Sequence, residues 1–110
     1  MGVYEILAQA IQSKSPCLIA KPGEPSRSIC PNRIGRSSEG VMNVIYYQFD
    51  GYTTQEGGLQ PDGSVRNWRC NHVADIATAS IIEGPWHEPN IKPKTRGHCV
   101  ADPPDFEVAY

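Results

Sequence analysis

The chain has no apolar run near the roughly 20 residues that a bilayer-spanning helix needs. A membrane is therefore not an expected partner. Its first residues, MGVYEILAQAIQSKS, lack a basic segment and place Glu5 inside the apolar stretch, so no secretory signal is read there. Ile6 stands where myristoylation after Gly2 requires Ser or Thr. These features make a cytoplasmic setting the expectation. Charge of one sign is also missing: ten Lys and Arg against twelve Asp and Glu leave a formal net charge of −2. Without a positive field, nucleic acid is not an expected partner, and the sparse Lys92, Lys94 and Arg96 read as a solvated loop. Gly57-Gly58 has neither the lysine nor the following helix of a phosphate-binding loop.

What is present is a composition suited to one small, loop-rich domain. At 110 residues there is no room for a second core, and the 39% hydrophobic content supplies a modest first one. Ten Gly and ten Pro break helices and punctuate turns, which favours short strands. Val3, Leu7, Ala10 and Ile11 share one face of a short amphipathic helix over about 3–14, which Pro16 ends. From Cys17 onward the pattern is of β segments between turns, through about residue 83. Pro31 marks an edge or a bulge in the second of them. Val41 to Phe49 is the strongest strand, with apolar residues at both parities, so both of its faces are expected to be covered. Asp50 to Arg66 is a long polar loop of the kind that binds or moves. Residues 84–110 form a proline-rich tail that closes on a final strand from Phe106. The expected fold class is mainly β (α+β), an N-terminal helix followed by a small, bent antiparallel barrel.

Three groups of residues carry candidate chemistry. Arg27, Tyr47, Gln48, Trp68 and Arg69, with Tyr52, combine aromatic rings and guanidinium groups, which suit an anionic or nucleotide-like ligand. The competing reading places the same aromatic residues in the core. Cys70, His72, His87 and Cys99, with His98 as an alternate, supply the Cys₂His₂ donors of a tetrahedral zinc site. The competing reading makes the cysteines small hydrophobic residues and the histidines surface groups. A nucleophilic Cys70, with His87 or His98 as base and Asp102 or Asp105 orienting it, is a third possibility without a local signature. The four cysteines are expected as free thiols or ligands; a Cys70–Cys99 bridge is open under oxidising conditions.

Ala10-Ile11, Arg27, Pro31, Gly35 with Gly40, Tyr46-Tyr47 and Trp68-Arg69 stand in an order that resembles the WYL domain. That bacterial module is usually attached to a winged helix in transcription factors. The stretch VMNVIYYQFDGYTTQEGGLQPDGSVRNWRCNHVADI looks most like short stand-alone bacterial relatives of it, and the resemblance spans residues 5–83. Val44-Ile45-Tyr46 occupies the place of the Trp-Tyr-Leu triplet. The resemblance implies an SH3-like (Sm-like) barrel with a ligand-sensing surface of basic and aromatic residues, which brings Arg27 and Arg69 forward. It implies no reaction. A small-molecule binding or sensing module is thus the leading expectation, with an interaction or homo-oligomerising module as the alternative.

Overall fold

A computed structural model describes residues 1–87, 89 and 99–109. Helix α1 (Val3–Ser13) starts where the Glu5 carboxylate accepts the backbone N–H of Gly2 at 3.1 Å. It ends where Lys14 turns left-handed and the Ser15 N–H reaches back to the Ala10 carbonyl at 2.9 Å. Strands β1 (Cys17–Ala20), β2 (Arg27–Arg36), β3 (Met42–Gly51), β4 (Trp68–His72), β5 (Thr78–Ile81) and β6 (Phe106–Glu107) follow. Together they form one antiparallel sheet in the order β4-β3-β2-β1-β5, with β6 pairing β2 beyond the end of β1. No helix among the described residues is long and apolar enough to cross a membrane.

Two register shifts interrupt the β2–β3 ladder, and one falls between Pro31 and Arg33. The proline removes a ladder donor there, so the extra residue, Asn32, bulges and turns its amide onto the Cys30 carbonyl at 2.9 Å. Bending is also required by the connection between the two outermost strands. In a flat sheet, β4 and β5 would stand about 19 Å apart, four spacings of about 4.8 Å. Yet five residues link them, three of which (Val73–Asp75) are wound into a 3₁₀ turn that rises only about 2 Å per residue. The sheet therefore curls strongly.

Curling gives β3 two covered faces. On the inner face, Val44 and Tyr46 pack with Ile29, Ile34, Cys17 and Ile19 beneath Leu7, Ala10 and Ile11 of the helix. On the outer face, Ile45 and Tyr47 pack with Cys30, Trp68, Cys99 and Val100, flanked by Phe49 and Trp86. Period-2 alternation sorts consecutive residues of one strand into two separate clusters. Each large apolar side chain fully buried this way contributes about 1.5–3 kcal/mol.

Candidate functional site

The sheet divides the residues expected to form one ligand platform. Tyr47 and Trp68 lie on the outer face, edge to face with ring centroids 5.5 Å apart, and both are buried. Arg27 lies on the inner side and is only 3% exposed; one guanidinium nitrogen meets Glu24 at 3.1 Å and the other points to the Tyr46 hydroxyl at 3.5 Å. Arg69 pairs with Tyr46 across the β3–β4 ladder, which puts it on that inner side too, where it donates to the Trp68 carbonyl at 2.9 Å. Gln48 is fully buried and donates to the Asp50 and Tyr52 carbonyls at 3.2 and 2.8 Å. The single aromatic-and-guanidinium surface is thus corrected to two groups on opposite faces, Tyr47 and Trp68 buried on one and Arg27, buried, with Arg69, half-buried, on the other, because neighbouring residues of a strand alternate sides.

The zinc set is corrected as well. Cys70 and Cys99 are joined in a disulfide, with Cα atoms 6.5 Å apart, so neither sulfur is a thiolate available to a metal. His87 is held elsewhere: its ring stacks on Phe49 at 4.0 Å, and Nδ1 meets the Asp62 carboxylate at 2.8 Å. Among the described residues, no group of three or more His, Cys, Asp or Glu is placed to hold a metal. His98, Lys92, Lys94 and Arg96 lie outside the described residues. The nucleophilic Cys70 loses its supports too. Its sulfur is bonded, Asp102 pairs with Arg33, and Asp105 accepts the Tyr4 hydroxyl at 2.7 Å.

Asp62 does different work. Burial opposes its charge, but hydrogen bonds from His87 and Tyr47 outweigh that and hold its carboxyl below the usual range. Tyr47 donates to it at 2.8 Å, and Asn67 binds the Gln60 backbone through both its amide atoms, at 3.0 and 2.9 Å. The long loop is thereby pinned to the outer face of the sheet.

A cleft of about 350 Å³ opens beside the disulfide, where the turn between β2 and β3 meets β4. The turn contributes Ser37, Ser38 and Glu39, β3 contributes Asn43, and Cys70, His72 and Cys99 complete the lining. Ser37 organises the turn, its hydroxyl oxygen accepting the Glu39 and Val41 N–H groups at 3.2 Å each. Cys70 and His72, two apart on β4, lie on the same side, and His72 pairs with Asn43 across the ladder. Asn43 is only 6% exposed and donates its amide nitrogen to the Cys99 carbonyl at 2.8 Å. That bond orients the amide, and its buried Oδ1 has no partner among the described residues. Ser37, Ser38, Glu39 and Asn43 escaped the sequence reading as site residues. The signal was Asn43 itself, a polar residue on the outward parity of a strand expected to be covered on both faces.

No family model, curated protein or solved structure matches the chain.

Proposed function

We propose that this chain is a small-molecule binding module whose site is the cleft walled by the Cys70–Cys99 disulfide. The observation that carries the reading is Asn43, a buried amide in the cleft lining whose Oδ1 has no partner among the described residues. An unmet buried acceptor costs about 1–3 kcal/mol, which a ligand N–H reaching it would recover. Glu39 adds a carboxylate to the same cleft, and Ser37 and His72 add polar atoms. The complementary ligand is a small polar molecule bearing amine or amide N–H groups. An anionic or nucleotide-like ligand has less support: Glu39 repels it here, and Arg27 on the inner face is already committed to Glu24.

The remaining part of the reading concerns architecture. The strand order, the curl and the 3₁₀ link between the edge strands support closure as an SH3-like barrel of the WYL type. Titration with ethanolamine tests the site. Binding is expected to weaken about two- to fivefold in Glu39→Gln, the ~0.5–1 kcal/mol of an exposed ion pair. Equal binding by Glu39→Gln, or preferential binding of acetate, would sink the assignment.

A further inference from the structure

The two sulfurs of the disulfide stand in unequal surroundings. Cys70 is exposed on β4, a strand that pairs only with β3 among the described residues. Cys99 is 6% exposed and packs with Ile45, Trp68 and Val100. Thiol–disulfide exchange requires a thiolate to approach one sulfur in line with the bond, from the side opposite the other sulfur. Both cysteines line the cleft, but Cys70 is the exposed half of the bridge and Cys99 the half covered by the outer cluster.

We propose that Cys70 Sγ is a site of thiol–disulfide exchange for a small amine-bearing thiol seated in the cleft. Its choice of thiol rests on the binding reading above; the exchange itself does not. The incoming thiolate forms a bond to Cys70 Sγ as the Cys70–Cys99 bond breaks. Cys99 leaves with the electron pair and takes a proton from His72 or water. One disulfide replaces another, so no outside oxidant is needed. A second equivalent of the thiol releases Cys70 and carries off the symmetrical disulfide. His72 is the histidine lining the cleft; it is 58% exposed, with Nδ1 3.7 Å from Asp75.

The remaining described thiols do not compete. Cys17 and Cys30 are both fully buried, one in each core cluster, and burial pushes the Cys17 thiol up to about 12. Opening the bridge also has a structural consequence inside the cleft. The Cys99 carbonyl that holds the Asn43 amide is no longer tethered to β4, so exchange alters the acceptor on which binding is argued.

The test treats the native oxidised protein with cysteamine or mercaptoacetate, quenches with acid and maps adducts by intact mass and peptide fragmentation. Rates are normalised to those of the urea-unfolded protein. The expected result is a mixed disulfide predominantly on Cys70, a free thiol at Cys99, and a normalised rate several-fold higher for cysteamine. In Glu39→Gln that preference is expected to shrink, and in His72→Ala both rates are expected to fall several-fold. Both variants alter exposed side chains, so folding is not at issue. A native protein that resists both thiols while its unfolded form reacts would overturn the proposal, as would adducts mainly on Cys99. Exchange on Cys70 at equal normalised rates for the two thiols would uphold the exchange site and remove the cleft's preference for amines.

Discussion

Cys17, buried, and Tyr4, half-buried, show how a single group shapes the pH response. Burial raises the Cys17 thiol from 9.0 to about 12. Burial, followed by the hydrogen bond to Asp105, raises Tyr4 from 10.0 to about 12. In both, the folded state keeps a proton that the unfolded chain releases first. Between about pH 9 and 12 the folded state therefore binds more protons, and stability falls as pH rises. Urea midpoints are expected to be flat with respect to these two groups below pH 8.5 and to drop from pH 9 upward; Cys17→Ala is expected to soften the drop. A midpoint that rises over that range would contradict the account. Arg27 shows what sequence alone withholds at this scale. Its position in a strand was legible, but its commitment to Glu24 and Tyr46 depends on a side chain three residues back and a register with β3. Asn43 was overlooked for a related reason: its neighbour Cys99 lies 56 residues away, and no local pattern announces that contact.

Among elements, the β2–β3 pair carries both faces of the protein and ends at Gly51. This residue has φ +94°, and an added Cβ would stand 2.5 Å from the Ser26 carbonyl oxygen and 2.9 Å from the Arg27 Cα. A left-handed backbone and a clash with main chain both oppose any larger residue. Gly51→Ala is expected to cost at least about 2 kcal/mol and to loosen Arg27, its ladder partner. Denaturant unfolding checks the loss, and a change under 0.5 kcal/mol would count against the geometry. The helix and strands were readable from the sequence because their signals are local. Period 3.6 in Val3, Leu7, Ala10 and Ile11, the stop imposed by Pro16, and β-branched and aromatic residues in β3 all act within a few positions. The bulge at Pro31 was readable for the same reason, since proline cannot donate to a ladder. The sorting of Tyr47 from Arg69 was also available in principle: parity separates Tyr46 from Tyr47, and Arg69 faces Tyr46.

The described residues form a curled sheet with α1 on its inner face; of the C-terminal segment, Cys99 and Val100 cover the outer face while Phe106 and Val108 pack into the inner cluster. Arg33 ties the tail to β2 through Asp102 and, at 3.1 Å, Glu107, while Cys99 ties it covalently to β4. Cysteine spacing left the bridge open, because pairing depends on Cα separation rather than on sequence distance. Closing a 29-residue separation removes enough unfolded-chain entropy to be worth about 3–4 kcal/mol. The double variant Cys70→Ser/Cys99→Ser is expected to lose about that much, with red-shifted Trp68 emission as the outer cluster loosens. An unchanged denaturation midpoint would show that the tail stays seated without its covalent tie. The cleft exists because these pieces meet: a serine-organised turn, one polar residue of β3, and a disulfide bringing the tail against β4. The most direct test of its role is an amide chemical-shift map of the isotope-labelled, oxidised protein titrated with acetamide. Shifts confined to Ser37–Asn43, Cys70–His72 and Cys99 are the predicted result. Saturable shifts confined to Arg27, Tyr52 and Arg69, with the cleft silent, would contradict it.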